Sequence, residues 1–201
     1  MFSLKRTLSF SIVCLLLISC ASPPPPLNLP PDWEIQKQQL EEYQQWVIKG
    51  RIAYKTEDEA FSATLSWSES SEKTALKLYN PLGITVANIE ITPTKSTFKA
   101  DGEIYQHKNA NLLFRQTTGW NIPVNQLRLW IKGLPSDQDK LLFNSDGTLK
   151  TLFPSCENCE NWRVDYVSFS KVNSLVLPRE LTVTDTSRTN AFIKLRISSW
   201  R

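Results

Sequence analysis

Phe61-Ser62-Ala63-Thr64-Leu65-Ser66-Trp67-Ser68 sets an apolar residue against a small hydroxyl residue at every step. A β-strand turns successive side chains to opposite faces, so this stretch reads as a strand with one dry face and one wet face. On a helix the same residues would be scattered around the axis.

Outward from there, the period of two returns in Leu76 and Leu78, in Ala87, Ile89 and Ile91, and in Ile193, Leu195 and Ile197. Asp101-Gly102 and Asp146-Gly147 are turn pairs at hairpin distance from strand candidates. Most of the domain is therefore expected to be antiparallel sheet. Three windows carry a helical period instead. The first, 32–45, follows a proline, has Asp32 placed as an N-cap, and contains Trp33, Leu40 and Tyr43. The second, 109–116, contains Leu112, Leu113 and Phe114. The third, 124–132, contains Leu127, Leu129, Trp130 and Ile131, with Pro123 suited to a first turn and Gly133 to a stop. Short helices inside a sheet protein commonly cover its concave face. No repeat of fixed period is visible.

The N-terminal part is different in kind. Lys5 and Arg6 precede an apolar run from Leu8 to Ile18, the layout of a secretory signal and too short to span a membrane comfortably. Leu17-Ile18-Ser19-Cys20 resembles a lipobox, so residues 1–19 are expected to be a leader and Cys20 to receive lipid. Cys14 lacks the preceding small residue and reads as hydrophobic filler. Ala21 stands where an inner-membrane retention signal would carry Asp, which points to the outer membrane, with the domain facing the periplasm. Residues 20–31 include Pro23 to Pro26, Pro30 and Pro31, a composition that favours an extended tether. Residues 32–201 have the length of one domain.

The chain has 23 basic and 20 acidic residues. Removing the leader takes away Lys5 and Arg6 and no acid, which leaves a nearly neutral protein and no electrostatic case for nucleic acid. The single histidine, His107, lies in a polar stretch expected to be a solvated loop, with no Gly-x-Ser-x-Gly turn to pair with. Phosphate-cradling and dinucleotide glycine motifs are missing as well. The sequence therefore argues against an enzyme and implies no cofactor. Cys156-Glu157-Asn158-Cys159 could be a redox pair, half of a zinc site or a disulfide. Zinc needs further ligands, of which His107 is the one obvious candidate, and Pro154 opposes a helix at Cys156. A local disulfide at a hairpin tip fits an oxidising compartment best.

Trp67, Trp120, Trp130, Trp162 and Trp200 suit either an ordinary core or the lining of a cavity for apolar ligands. Tyr79-Asn80-Pro81-Leu82-Gly83-Ile84 is a turn whose tip presents Leu82 and Ile84. Such a tip either enters lipid or a partner, or folds back onto the core.

The order of Trp46 to Gly50 with Arg51-Ile52-Ala53, Phe61 to Trp67, Asn80-Pro81-Leu82-Gly83, Gly119 with Pro123-Val124 and Leu127, and Trp130-Ile131-Lys132-Gly133-Leu134-Pro135 resembles the LolB family of outer-membrane lipoprotein receptors. The resemblance runs from the lipobox to Trp200. It implies a half-open antiparallel β-barrel of about eleven strands, with helices covering a hydrophobic cavity. It implies a monomer that accepts lipoproteins from the periplasmic carrier LolA and places their acyl chains in the inner leaflet of the outer membrane, among its phospholipids. Pro81, Leu82, Gly83 and Ile84 match the family's protruding, membrane-engaging loop. Trp67 and Trp130, with Leu65 and Leu127, fall where the cavity lining is expected. The competing reading is a structural or assembly lipoprotein that docks a protein partner and has no ligand cavity.

Overall fold

The computed structural model describes residues 32–119, 123–157 and 159–201. The leader, Cys20, the proline tether and Trp120 lie outside the described residues. The alternating stretches become long strands that pair with sequence neighbours through tight turns. In chain order the first six are β1 (Trp46–Lys55), β2 (Ala60–Glu69), β3 (Thr74–Tyr79), β4 (Thr85–Ile91), β5 (Ser96–Ala100) and β6 (Glu103–His107). The last five are β7 (Lys140–Phe143), β8 (Leu149–Phe153), β9 (Trp162–Val172), β10 (Leu175–Asp185) and β11 (Phe192–Trp200).

These eleven strands form one antiparallel sheet in the order β6-β5-β4-β3-β2-β1-β11-β10-β9-β8-β7. The chain starts in the middle, steps outward to β6, crosses through helices, and steps back from β7 until β11 pairs with β1. β6 and β7 remain as edges, so the expected half-open architecture of eleven strands is observed. Gly50 makes the central seam possible: a Cβ there would collide with the Arg196 carbonyl of β11, next to a register shift between Lys49 and Gly50.

Among the described residues three helices complete the fold: α1 (Trp33–Glu42), α2 (Ala110–Thr118) and α3 (Val124–Trp130). Asp32 does precede α1, but its side chain makes no cap hydrogen bond. Its backbone, at φ −95° and ψ 6°, lacks the extended conformation that turns an N-cap carboxylate back toward the helix. Asn109 does cap α2, its Oδ1 accepting from the Leu112 N–H at 3.1 Å. Gly119 ends that helix in the left-handed conformation. Pro123 sits just before α3 rather than within its first turn. Asn111 Oδ1 accepts from the Val124 N–H at 3.0 Å and fixes α3 against α2.

Registers assign the faces. Ile48 pairs with Trp67, Gly50 with Leu65, Ile52 with Ala63 and Tyr54 with Phe61, so these share the concave face. Ile89, Phe98 and Tyr105 continue it across β4, β5 and β6. Phe114 of α2 meets Phe98 with ring centroids 6.1 Å apart, which puts α2 over that side. α1 lies against β10, where Gln36 Nε2 donates to the Val176 carbonyl at 2.8 Å. Tyr166 donates from its hydroxyl to the Trp130 carbonyl at 2.8 Å, which seats α3 on β9. The apolar core therefore lies between the concave sheet and the helices. Each fully buried Leu, Ile or Val there contributes roughly 1.5–3 kcal/mol.

The turns gather at two ends. The turns at 56–59, 80–84, 101–102 and 186–191 share one end, here the tip end. Those at 70–73, 92–95, 144–148 and 173–174 share the opposite, base end, where α1 also lies.

Candidate functional site

The turn between β3 and β4 is organised by Asn80. Its Oδ1 accepts from the Leu82 and Ile84 N–H groups, both at 3.0 Å. Its backbone carbonyl accepts from the Gly83 N–H at 2.9 Å, and its own N–H donates to the Ile84 carbonyl at 3.0 Å. Pro81 has no N–H. Every backbone donor from Asn80 to Ile84 is thus satisfied within the turn. Gly83, at φ +79°, supplies the left-handed residue that closes it. The side chains point the other way: Leu82 is 84% exposed and Ile84 59% exposed. Of the two readings the sequence left open for Leu82, the structure has the projecting one.

Below this tip the concave face changes from covered to open. Along β2, Trp67, Leu65 and Ala63 are buried, whereas Phe61 on the same face is 42% exposed. Along β1, Ile48 is fully buried while Ile52 and Tyr54 are partly exposed. Leu76, Leu78, Phe98 and Phe114 are likewise only partly covered. Along β1 to β6 the helices leave an apolar trough toward the tip end, the end from which Leu82 projects, whereas Trp162, Val183 and Ile193 at the tip end of β9 to β11 are buried.

Leu65, Trp67, Leu127 and Trp130, the residues expected to line a cavity, are brought into one apolar cluster. In this conformation they are packed together with Trp46 and Trp200, whose rings lie 5.5 Å apart, and Trp46 lies 5.6 Å from Trp67. The residues that leave apolar concave surface accessible are Ile52, Tyr54, Phe61, Leu78 and Phe98, which the sequence did not single out as a site. The alternation of β2 and the position of Phe61 next to the tip-end turn were the available signal.

Polar groups are buried at the base end. Glu69, the concave-facing residue after Trp67, accepts from Thr74 Oγ1 at 2.8 Å and from Trp67 Nε1 at 3.4 Å. Arg128 of α3 meets it at 3.3 Å. Lys132 is 5% exposed and donates from Nζ to the Leu40 and Tyr43 carbonyls at 2.7 and 2.9 Å. A cation there closes the C-terminal end of α1, where carbonyls lack helical partners. Burial pulls its pKa down from 10.5 to about 8.

Cys156 and Cys159 are joined in a disulfide in the connection between β8 and β9. Cys159 is fully buried in the apolar cluster. His107 is the last residue of β6 rather than a loop residue. Its Nδ1 accepts from the Asn109 N–H at 2.9 Å, so it helps turn the chain from β6 into α2.

Comparison with known proteins agrees with this architecture. Residues 44–200 match the family described as Outer membrane lipoprotein LolB. An outer-membrane lipoprotein LolB of Shewanella woodyi is 34% identical over 198 residues, covering 98% of this chain and 90% of its own. That of Vibrio cholerae is 32% identical over 202 residues, covering 98% of this chain and 96% of its own. Among solved structures, a putative outer membrane lipoprotein-sorting protein domain from Vibrio parahaemolyticus superposes with a TM-score of 0.56 at 7% identity. It covers 84% of this chain and 89% of that one. A LolA superfamily protein from Nitrosomonas europaea gives 0.53 at 8% identity, covering 83% and 93%. These two bear on the fold alone, which this chain shares with them. With a family match over most of its length and relatives that align with nearly the whole of it, the chain belongs to the LolB family of outer-membrane lipoproteins.

Proposed function

We propose that this protein receives lipoproteins from a soluble periplasmic carrier of the LolA type, holds their acyl chains against the concave face, and releases them at the Leu82 tip into the inner leaflet of the outer membrane. One observation carries the reading. The apolar, internally hydrogen-bonded tip stands at the end where the concave apolar face is least covered. A turn that has already satisfied its backbone donors loses little on leaving water. An acyl chain emerging from the trough would meet the bilayer where the tip enters it.

The energetics favour a hand-over without nucleotide. An acyl chain of about sixteen carbons costs on the order of 10 kcal/mol to expose to water, at about 0.8 kcal/mol per methylene. Transfer between two apolar sites avoids that exposure, and its direction is set by the difference in their affinities. No covalent bond is made or broken, so the scheme asks for no catalytic residue. Opening of the interior around Leu65, Trp67, Leu127 and Trp130 would lengthen the trough to accept whole chains.

The lipid on Cys20 holds the protein, as a monomer, at the membrane. Asp32 and Trp33 stand at the base end, with Trp33 against Phe143 at 5.0 Å, opposite the Leu82 tip. In polyproline geometry the twelve residues from Cys20 to Pro31 would reach roughly 37 Å, at about 3.1 Å per residue. The ten-residue β1 is roughly 33 Å long at about 3.3 Å per residue. The tether is thus long enough for anchor and tip to occupy one bilayer.

The test is a transfer assay with radiolabelled, triacylated lipoprotein loaded on its carrier. The expected result is movement of label from carrier to this protein, and none when the cargo has been deacylated. Equal capture of acylated and deacylated cargo would reject the acyl-binding reading in favour of a protein-docking lipoprotein without a cavity.

A further inference from the structure

At the base end a polar hollow of about 480 Å³ opens directly beyond the buried concave residues Trp67 and Ile89. Its wall is formed by the turn from Glu69 to Thr74, by Ser96 at the start of β5, by Lys108 and the first turn of α2, and by Asn125 and Arg128 of α3. Neither the trough nor the Leu82 tip uses it. Three features of the hollow bear on its ligand.

The first is the positive end of α2. Asn109, Ala110 and Asn111 all line the hollow. The Asn109 and Leu112 N–H groups are taken by His107 Nδ1 and Asn109 Oδ1, so the Ala110 and Asn111 N–H groups and the partial positive charge of the helix end are what face a ligand there. The second is charge. Lys73, Lys108 and Arg128 face the hollow against Glu69 and Glu72. Glu69 is already compensated by Thr74, Trp67 and Arg128, and Lys73 pairs outward with Glu90 at 3.2 Å. Lys108, just before the N-cap Asn109 of α2, forms no ion pair among the described residues, and across the hollow Glu72 forms none either. The third is Ser96. It is 1% exposed and lines the hollow, and its Oγ has no hydrogen-bond partner among the described residues. Buried hydroxyls are ordinarily bonded, so an unpartnered one calls for a ligand.

We propose that this hollow is a phosphate site: Ser96 Oγ, the N-terminus of α2 and the Lys108 ammonium bind a phosphate group, with Arg128 closing the far side. The hollow lies at the base end of the same concave face, one strand position beyond buried Trp67, so once the interior around Trp67 opens, the phosphate group it suits best is the head of an amphiphile whose chains lie along that face. A phospholipid would then occupy the interior between rounds of lipoprotein binding and be displaced by incoming cargo. This extension rests on the acyl-binding reading given above, whereas the phosphate site itself does not.

Calorimetric titration of the purified domain separates these cases. The probes are inorganic phosphate, dihexanoyl phosphatidic acid and dihexanoylglycerol, each tested on the parent protein, Lys108→Gln and Ser96→Ala. Lys108 is exposed, so Lys108→Gln leaves the fold intact, and thermal unfolding checks Ser96→Ala. Phosphatidic acid is expected to bind about ten-fold more tightly than the phosphate-free glyceride, with each substitution weakening the phosphate-bearing lipid about ten-fold and leaving the glyceride unchanged. If neither lipid binds but inorganic phosphate does, with the same sensitivity to both substitutions, the site stands with free phosphate as its source and the acyl reading fails alone. If phosphatidic acid and the glyceride bind equally and both substitutions are silent, the phosphate site is overturned while the acyl reading survives.

Discussion

Replacing Leu82 by alanine should weaken association with membranes without weakening the fold. Leu82 is 84% exposed, so nearly all the free energy its side chain can gain from an apolar surrounding is still available. Truncation to alanine removes three carbons, and at about 0.8 kcal/mol per methylene this forfeits about 2 kcal/mol of lipid transfer. That corresponds to a partition coefficient roughly thirty-fold lower. Leu82→Glu should lower it further, because an ionised carboxylate would have to enter the interface. Since Leu82 buries little of its surface in the folded protein, urea unfolding of either variant should stay within about 0.5 kcal/mol of the parent. The assay is sedimentation with liposomes over a series of lipid concentrations, using the unlipidated domain so that no anchor masks the tip, together with the rate of lipoprotein delivery to those liposomes. Unchanged partition and delivery in both variants would refute the argument. A loss of delivery matched by an equal loss of stability would show that Leu82 is a folding residue.

Asn80→Ala should reproduce part of that defect without touching the apolar side chains. It leaves the Leu82 and Ile84 N–H groups without their acceptor, at about 1–3 kcal/mol per unsatisfied group once out of water; liposome binding is expected to fall while Leu82 remains in place. Lys132 gives a pH signature. Its pKa falls from 10.5 to about 8 on folding, so between those values the unfolded chain holds more protons, and stability rises with pH by on the order of 1–2 kcal/mol from pH 8 to 10. Tyr166, raised well above 10 by burial, acts in the opposite direction beyond pH 10. Urea midpoints should therefore climb and then fall, and Lys132→Met should flatten the climb. Replacing both Cys156 and Cys159 by serine opens a very short loop; the chain-entropy estimate for it is about 2 kcal/mol of stability, visible as a lower thermal midpoint with unchanged lipoprotein transfer.

Local pattern carried most of the sheet into view. β2, β3, β4 and β11 were legible because each has one wet face, so small polar residues alternate with apolar ones, as in Ser62 to Ser68. β7 and β8 were not, because Leu141-Leu142 and Thr151-Leu152 break the alternation, and Asp146-Gly147 was the only mark of their hairpin. The pairing of β1 with β11 joins residues more than a hundred positions apart, and no local period encodes it. The tip was legible because Leu82 and Ile84 are apolar where turns are usually polar. The base end was hidden for the opposite reason. Glu69, Ser96 and Lys132 are polar residues whose burial depends on helices packed from elsewhere in the chain, and an isolated sequence gives each of them the appearance of a surface residue. The accessibility of the concave residues Ile52, Tyr54 and Phe61 was not legible either, since alternation assigns a residue to a face without saying how far the helices cover it.

The most direct measurement of the central claim is photocrosslinking from adjacent positions of β2 during transfer. A photoreactive amino acid is placed at Phe61, on the open part of the concave face, and in parallel at Ser62 and Thr64, on the convex face. The cargo is a lipoprotein carrying labelled acyl chains on its carrier. Acyl label is predicted to attach at position 61 and not at 62 or 64. Equal labelling at all three, or labelling confined to the convex positions, would contradict an account in which the acyl chains lie along the concave face.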